Sequence, residues 1–400
     1  ETMKRIAECE RSPMFAVGEV TGDHRFTFQS ARIGAKPMDL ALEDMFGSSP
    51  KTIMKDKAVV RNYDDLVYDV KKIPQYLEKV LKLEAVACKD WLTNKVDRCV
   101  GGRVAKQPCV GPLQLPLNNV GVMALDYASK EGIATTIGHS PIAALIDPVA
   151  GSQNSIAESL TNIIWAPIKN GIRGISLSAN WMWPCKNEGE DARLYKAVKA
   201  VSDFAIGLGI NIPTGKDSLS MKQKYPKDEV ISPGTVIISA VGNCNDITQV
   251  VEPVLQKTKD AIYYINFSQD KFKLGGSSFA QVLNKIGIEA PRVQNAEFFK
   301  KAFDTVQESI RKRWIKAGHD VGSGGLVTTL LEMCFADVNV GASIDFSKLN
   351  EKDSAKVLFN ENAGIVFQAD SNIEKLFQET HIEFFKLGNV VDGSTLKIKN

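Results

Sequence analysis

The chain has 400 residues, of which 44% are hydrophobic and 24% charged, and its net charge at neutral pH is +2. This composition is typical of a soluble globular protein, and the length predicts two or three domains. The nearly balanced charge, without a basic stripe or zinc-knuckle spacing, argues against a nucleic-acid-binding protein. No segment has the apolar length of a membrane span, and the N-terminus lacks a signal-peptide pattern.

The seven cysteines are scattered, and none of them forms a Cys-x-x-Cys pair. This spacing disfavours both a disulfide framework and a structural zinc site. We therefore expect reduced, mostly buried thiols and a cytoplasmic location. The opening residues, from Glu1 to Glu10, read like the middle of a sequence, so we expect the chain to be part of a longer protein.

The two ends of the chain resemble each other. Residues 14–28 and 384–398 each contain a β-rich run with a glycine at its bend, a Gly/Asp turn and a second alternating run. Each pattern predicts a β-hairpin, although hairpins are common enough for chance similarity to be an alternative. If the similarity marks a repeat, both copies close a domain. We therefore assign residues 1–56 to the tail of a preceding module. The polar segment 47–51 is the predicted linker that leads out of it.

Residues 57–245 are the next predicted domain. Helical and strand-like apolar patterns are interleaved along it, which predicts an α/β or α+β layer architecture. The predicted helices are 73–86, 156–166 and 192–208, and the predicted strands are 120–126, 174–178 and 235–241.

Residues 246–400 are predicted to form a second α/β layer domain of ordinary size. A helix is expected from Phe299 to Trp314, whose apolar residues share one face, and Gly318 is the predicted C′ residue at its end. The further predictions are strands at 261–267, 364–368 and 385–398, a Gly-Gly turn at 275–276 followed by a helix, and a helix at 326–336.

Glu158 and Asn162 lie four residues apart on a predicted helix, so their side-chain oxygens share one face. Mg²⁺ needs hard oxygen ligands, and such a pair can provide two of them beside the phosphates of a nucleotide. The alternative is an exposed polar stripe, which two polar residues at this spacing equally fit.

Gly215-Lys216-Asp217-Ser218 invites comparison with a phosphate-binding P-loop, but the spacing from the preceding glycine is one residue too long. A helix, and not a strand, is also predicted to precede it. A turn of this composition can still place backbone N–H groups and the Lys216 ammonium near a phosphate. A surface turn with a solvated lysine is the alternative.

Two glycine-rich turns, at 274–279 and 318–326, precede predicted helices. Unpaired N–H groups at a helix N-terminus favour anions, and doubled glycines permit close approach of the backbone to a ligand. The second turn also carries the carboxylate of Asp320. Simple turn punctuation is the alternative for both.

Eight stretches of the chain together resemble the large formylglycinamide ribonucleotide amidotransferases. They occur in the order of that family and cover nearly the whole chain, so they are far more specific as a set than singly. The stretches are VGPLQLP (110–116), AALID (143–147), AESLTN (157–162), LSANWM (177–182), GEDARLY (189–195), GKDSLSM (215–221), LGGS (274–277) and LFNE (358–361).

The resemblance implies a synthetase region of two tandem halves, each similar to aminoimidazole ribonucleotide synthetase with an N-terminal and a C-terminal α/β domain. This chain would hold the end of the first half and all of the second. The family uses ATP, Mg²⁺ and glutamine-derived ammonia to convert formylglycinamide ribonucleotide to formylglycinamidine ribonucleotide in purine biosynthesis. ATP phosphorylates the amide oxygen, and ammonia then displaces phosphate from the imidate. The glutaminase domain and most of the first half would lie outside this chain.

The resemblance also implies a nucleotide and magnesium site in the second half. Its carried-over positions predict metal ligands at Asn119, Glu158, Asn162 and Asp320 and nucleotide contacts at Lys89, Asn118 and Gly322, beside Lys216 from the Gly-Lys segment. The family usually has Asp at position 119 and Ser at position 322, so both departures weaken the expected binding of metal and nucleotide.

Three functional interpretations remain open at this stage. The resemblance implies that the catalytic centre lies mainly with the first half, so no catalytic residue is assigned and the chain alone is expected to be inactive. A non-catalytic scaffold half that supports the catalytic half and the glutaminase domain is the alternative. A stand-alone aminoimidazole ribonucleotide synthetase is disfavoured by residues 1–56 and by the GEDARLY segment.

Overall fold

The computed structural model describes residues 1–47, 53–93, 98 and 101–400. Its internal contacts divide the chain into two units, Glu1–Lys55 and Asp56–Asn400. None of the described residues in the smaller unit is buried, and most of the segment predicted to lead out of it (47–51) lies outside the described residues. The elements of the smaller unit are helices α1 (Thr2–Cys9) and α2 (Leu42–Phe46) and strands β1 (Arg25–Phe28) and β2 (Met38–Ala41), which pair antiparallel.

The first part of the larger unit builds a six-stranded sheet in the order β3-β4-β5-β10-β6-β7, in which the β6–β7 pair is parallel and the others are antiparallel. A separate hairpin, β8–β9, precedes β10. The helices are α3 (Ile73–Val80), α4 (Asp90–Thr93), α5 (Pro141–Ile146), α6 (Pro148–Ile163) and α7 (Glu190–Leu208). The strands are β3 (Val104–Lys106), β4 (Gly121–Ala124), β5 (Gly132–Gly138), β6 (Ile175–Met182), β7 (Asn211–Ser218), β8 (Lys222–Lys224), β9 (Glu229–Ile231) and β10 (Thr235–Cys244).

One face of this first sheet packs on α6 and α7, and the other is open. Strands β5 and β10 alternate strictly between buried and exposed residues along most of their length. Ala134 and Ile238 therefore lie in the core, whereas Ile137 and Val241 are exposed. This alternation is what a half-buried antiparallel strand requires.

The second part builds another six-stranded sheet, in the order β12-β14-β11-β15-β13-β16, antiparallel except for the parallel β13–β16 pair. The strands are β11 (Ala261–Asn266), β12 (Ile315–Asp320), β13 (Val340–Asp345), β14 (Gly364–Ala369), β15 (Phe385–Asp392) and β16 (Leu396–Lys399). The helices are α8 (Ser278–Val282), α9 (Ala296–Arg311), α10 (Gly325–Phe335), α11 (Ser354–Phe359) and α12 (Asn372–Glu379).

Both faces of the second sheet are covered. On β11, Tyr263 and Ile265 belong to a core shared with α6, α7, α9 and the first sheet, whereas Ile262 and Tyr264 belong to a core formed with α3, α8, α10 and α11. The two sheets are therefore joined by one continuous apolar layer. The prediction of mixed α/β layers is confirmed, and no helix within the described residues is long and apolar enough to cross a membrane.

The two predicted hairpins at the chain ends are wrong. Residues 14–20 form no strand, and β1 pairs with β2. Near the other end, β15 and β16 do not pair with each other, because β13 lies between them and bonds to both. At this end, two adjacent strand patterns with a turn between them predict a hairpin. In the structure both strands pair instead with β13, which lies about 50 residues upstream.

Three predicted local features also differ from the structure. Helix α9 ends at Arg311, because Arg313 adopts the left-handed conformation (φ 59°) just after it. Gly318, the predicted C′ residue, lies within β12 instead. Helix α3 ends at Val80, six residues before the predicted end. The Gly215-Lys216 segment is not a turn but part of β7, which pairs parallel with β6.

Candidate nucleotide and metal site

Helix α6 carries two of the predicted metal ligands, Glu158 and Asn162. The helix begins after Asp147, whose carboxylate accepts from the N–H of Val149 at 2.9 Å and so caps the first turn. The side of the helix that carries Ser155 and Glu158 packs against the end of β5. A β-carbon at Gly138 would lie 2.2 Å from the carbonyl oxygen of Ser155, so glycine alone allows this strand to approach the helix so closely.

This close approach sets the position of the Glu158 carboxylate. The backbone N–H of His139 donates to Glu158 Oε2 at 2.6 Å, and the His139 ring nitrogen Nδ1 lies 3.7 Å from the same oxygen. The neighbouring carboxylate raises the pKa of His139 despite the partial burial of the ring. One carboxylate oxygen is therefore engaged by the protein, at the edge of a cavity.

Asn162 connects α6 to strand β12. Its amide nitrogen donates to the carbonyl of Glu158 at 2.9 Å and to Asp320 Oδ2 at 3.3 Å. Asp320 is buried at the end of β12. The pair Glu158/Asn162 and the carboxylate of Asp320 thus come together across the boundary between the first and second sheets.

A buried histidine balances part of the charge of Asp320. His319 Nδ1 lies 3.1 Å from Asp320 Oδ1, and its Nε2 lies 2.9 Å from Glu332 Oε2. Burial disfavours the charged ring, but the hydrogen bonds to the two carboxylates outweigh it and raise the pKa of His319 to about 10. The ring is therefore protonated at neutral pH and donates to both carboxylates.

The two adjacent asparagines are turned towards the backbone. The amide nitrogen of Asn119 donates to the carbonyl of Gly318 at 3.0 Å, and that of Asn118 donates to the carbonyl of Gln107 at 2.9 Å. The side-chain oxygen of each asparagine is buried and accepts no hydrogen bond. The amide nitrogen of Asn119 is thereby fixed to β12 two residues before Asp320, and its Oδ1 has no hydrogen-bond partner.

A small cavity of about 70 Å³ lies where α6 meets the loop after β12. Glu158 and Gly322 line it, and a β-carbon at Gly322 would lie 3.4 Å from Asp320 Oδ2. The other lining residues are His139, Ser140, Asn154, Thr161, Val321, Ser323, Glu361 and Ala363. Among the described residues, no group of three or more His, Cys, Asp or Glu side chains is arranged as a metal-binding cluster.

The structure does not bring the predicted lysines to this cavity. The Lys89 ammonium donates to the carbonyls of Glu84 and Ala87. The Lys216 ammonium donates to the carbonyl of Asp217 at 2.7 Å and contacts the Ser218 hydroxyl, both on its own exposed strand. Asn118, Asn119, Asn162 and Asp320 are likewise absent from the lining, so Glu158 and Gly322 are the predicted site residues that line the cavity.

Sequence reasoning missed Glu361, whose carboxylate lines the cavity. Its Oε1 accepts from the N–H groups of Ser278 (2.9 Å) and Gly324 (2.8 Å). Burial and the nearby Glu158 raise its pKa, although these hydrogen bonds oppose the shift. Glu361 ends the LFNE stretch, and a carboxylate shortly after an apolar pair and before a buried strand was the available signal.

Comparison with known proteins gives a consistent assignment. The model of the FGAR-AT PurM_N-like domain matches residues 88–243, and that of the AIR synthase related protein, C-terminal domain, matches residues 262–399. The Arabidopsis thaliana probable phosphoribosylformylglycinamidine synthase, chloroplastic/mitochondrial, is 36% identical over 418 residues, and the human phosphoribosylformylglycinamidine synthase is 35% identical over 410. The chain belongs to this family.

The alignments cover 100% and 97% of this chain but 29% and 30% of the Arabidopsis and human proteins, so the chain spans about a third of the length of these family members. Among solved structures, it resembles Thermotoga maritima PurL complexed with FGAR, with a TM-score of 0.61 and 13% identity, over 89% of this chain and 52% of that one. The same PurL complexed with ATP gives a TM-score of 0.53 at 14% identity, over 73% and 44%. These similarities support the shared fold.

Proposed function

We propose that this chain forms the second half of the synthetase region of an ATP-dependent carbon–nitrogen ligase with glutamine as its amido donor. The enzyme converts formylglycinamide ribonucleotide to formylglycinamidine ribonucleotide. Residues 57–245 and 246–400 are its two synthetase-like domains, and residues 1–56 are the tail of the first half. The partners are ATP or ADP, formylglycinamide ribonucleotide, the first half and the glutaminase domain.

The observation that carries the proposal is that Glu158 and Gly322 line the cavity between α6 and the loop after β12, while Asn162 and Asp320 contact each other beside it. These residues lie as much as 164 positions apart in the sequence, yet the amide of Asn162 bonds to Asp320 and a side chain at Gly322 would touch Asp320. We infer that the cavity is the auxiliary nucleotide and magnesium site. Lys89, Asn118 and Lys216 stay predicted contacts of the nucleotide beyond the cavity.

The donor set around the cavity fits a magnesium ion. Two carboxylates, Glu158 and Asp320, offer hard oxygens, and the buried side-chain oxygen of Asn119 has no hydrogen-bond partner. Glu158, Asp320, Asn162 and Asn119 would hold the ion. When bound, magnesium would neutralise the phosphate oxygens of the nucleotide.

The residues of this chain position the site and do not perform chemistry themselves. Gly138 and His139 hold one oxygen of Glu158, so the carboxylate is fixed before any ligand arrives. Protonated His319 holds Asp320 in the same way and lowers the net negative charge around it. Such prior ordering reduces the entropy that binding must overcome.

One observation favours a scaffold half as a second candidate function. Asn119, which stands where the resembling family usually has Asp, donates its amide to Gly318 O and so serves as a structural tie between the β3–β4 connection and β12. A neutral amide is also a weaker magnesium ligand than a carboxylate. In that case the chain supports the catalytic half and the glutaminase domain without binding nucleotide.

Titration calorimetry of the full chain with ADP distinguishes the two functions. An auxiliary site predicts saturable binding that requires Mg²⁺ and is lost in Glu158→Ala but kept in Glu297→Ala, which removes an exposed carboxylate on α9. Absence of binding to the unmodified chain supports the scaffold. The chain alone is expected to form no formylglycinamidine ribonucleotide from substrate, ATP and ammonia, and turnover would contradict this.

The cellular location stays a prediction. We propose the cytoplasm from the scattered, reduced cysteines, of which the described ones form no disulfide. The name of the Arabidopsis relative, in contrast, carries a chloroplastic/mitochondrial assignment. Fractionation of cells that express the tagged protein would test the location directly.

A further inference from the structure

Glu361 binds the two glycine-rich turns for which the sequence predicted anion binding. Both N–H groups converge on its Oε1: Ser278 is the first residue of α8, and Gly324 is the N-cap residue of α10. The Gly324 N–H is shared, because it also donates to the Ser278 hydroxyl oxygen at 3.1 Å. We call these two N–H groups the amide pair. They lie at the starts of two helices, where N–H groups have no hydrogen-bond partner within the helix. The turns do bind a carboxyl group, and it belongs to a side chain of the protein.

The turns are shaped to receive this segment of the chain. Gly324 and Gly325 have φ of 91° and 76°, a conformation that side chains other than glycine rarely adopt. A β-carbon at Gly325 would lie 2.6 Å from the carbonyl carbon of Phe359. The doubled glycines were expected to admit a ligand, but they admit the backbone that carries Glu361.

The residues on either side of Glu361 hold it in place. Asn360 and Asn362 are fully buried. The amide of Asn360 donates to the carbonyl of Val357 at 2.8 Å, and that of Asn362 donates to the Ser268 hydroxyl at 3.0 Å and to the carbonyl of Lys271 at 3.1 Å. Because both neighbours are anchored, the carboxylate cannot leave the amide pair by a simple movement of its backbone.

A ligand anion would also meet a second carboxylate, because Glu158 lines the same cavity as Glu361. The Glu158 carboxylate disfavours any phosphate that approaches the amide pair through the cavity. The Gly322 side of the loop faces Asp320, whose carboxylate contacts the ring of His319. A nucleotide is therefore expected to approach the cavity from the Gly322 side of the loop, and not through the N–H groups of the glycine-rich turns.

We propose that Glu361 is a specificity-determining residue of the candidate site: its carboxyl group occupies the amide pair and excludes the phosphate or carboxylate group of a ligand from it. This inference deepens the proposed function and rests on it only for the identity of the cavity as the nucleotide site. Removal of the carboxylate should create a binding site for a small external anion.

Chemical rescue of Glu361→Ala in the full chain tests this directly. Thermal unfolding is followed in sodium formate, sodium phosphate and sodium chloride at matched ionic strength. We expect the variant to melt below the unmodified chain, and formate or phosphate to raise its Tm by about 2–4 °C over chloride. The unmodified chain should show no such difference, because its amide pair is occupied.

Two further variants control for loss of a hydrogen-bond acceptor. Asp126 also accepts from two backbone N–H groups, those of Ala128 and Ser129, but on an exposed turn, where water can replace it. Asp126→Ala should therefore show no rescue by formate. Glu361→Gln keeps an acceptor oxygen of nearly the same shape, so it should melt closer to the unmodified chain than Glu361→Ala and gain nothing from formate.

If Glu361→Ala does not fold unaided, the yield of refolding with formate against chloride gives the same comparison. Formate that stabilises the variant no more than chloride, or that stabilises the unmodified chain equally, overturns the inference. The result does not depend on nucleotide. Rescue together with absent ADP binding would support the role of Glu361 and contradict the proposed function, and ADP binding without rescue would do the reverse.

Discussion

The two sheets of the larger unit bury their residues differently. In the first sheet one face is covered by α6 and α7 and the other is open, so β5 alternates between buried and exposed positions. In the second sheet every residue of β14 is buried, because helices cover both faces. An apolar side chain is therefore expected to contribute more to stability on the second sheet than on the open face of the first. In the sequence, the strands of both sheets appear alike as apolar runs.

The candidate site lies where these two regions meet, and each contributes what its architecture allows. The first sheet supplies a helix, α6, which carries the half-buried side chains of Glu158 and Asn162. The second supplies a buried strand end and two loops, with Asp320 and Glu361. The common apolar layer fixes the geometry between them, so changes in that layer should alter the site without touching it.

The largest expected effect is a core truncation on the doubly covered sheet. Phe367→Ala on β14 removes a fully buried ring and should lower the free energy of unfolding by about 3–5 kcal/mol. Ile137→Ala on β5, where 61% of the side chain is exposed, should cost less than about 0.5 kcal/mol. Urea unfolding of both variants measures this, and similar losses would refute the stated difference between the sheets.

The next effect concerns the contact between the regions. A β-carbon at Gly318 would lie 2.0 Å from the ring of buried Trp165, so Gly318→Ala must displace the indole or β12 and should cost about 2–3 kcal/mol. Gly322→Ala is the matched change, because its β-carbon meets Asp320 at 3.4 Å and so needs little displacement. A Gly318→Ala variant as stable as Gly322→Ala would contradict the tight contact.

A hydrogen-bonded contact between the regions should matter somewhat less. Gln307 on α9 is buried, accepts from the N–H of Ile168 at 2.7 Å and donates to the carbonyls of Ile164 and Ala166 just beyond α6. Gln307→Ala leaves these groups without partners and should cost about 1–3 kcal/mol. The control is its half-exposed neighbour Glu308, which forms only an i,i+4 ion pair with Lys312 on the helix surface. Glu308→Ala should cost below about 0.5 kcal/mol in the same urea assay.

The smallest effect depends on pH. The Tyr263 hydroxyl and the Lys386 ammonium donate to Glu374 and lower its pKa below the ordinary 4.5. The resulting stability is therefore present above pH 4.5 and is lost as the pH falls through the lowered value. Glu374→Gln should cost about 0.5–1 kcal/mol near pH 7 and progressively less in acid. A penalty that does not change between pH 7 and strongly acidic solution would refute this.

The sequence predicted the elements that have a strong internal pattern. The apolar period of α7 and the β-branched run of β10 are recognisable because each element buries one side along its whole length. Features that depend on distant partners were not accessible. The pairing of β15 and β16 with β13, and the inclusion of Gly215 in a strand, follow from neighbours that no local window contains.

The same distinction applies to the site. The spacing of Glu158 and Asn162 predicts their shared face, and the resemblance to a family adds Asp320, which the structure brings within hydrogen-bond distance of Asn162. Glu361 escaped notice because its importance comes from two N–H groups that are 37 and 83 residues away in sequence. Lys89 came from the family resemblance and Lys216 from the Gly-Lys segment, and the structure leaves both outside the cavity lining.

The central claim is that α6 and β12 jointly form a metal and nucleotide site. Anomalous diffraction from crystals of the chain soaked with Mn²⁺ and ADP tests it most directly, since Mn²⁺ accepts the same oxygen ligands as Mg²⁺. The account predicts an anomalous peak within ligand distance of Glu158 and Asp320, absent from crystals of Glu158→Ala. A fully occupied peak elsewhere, or none with ADP in saturating excess, would contradict it.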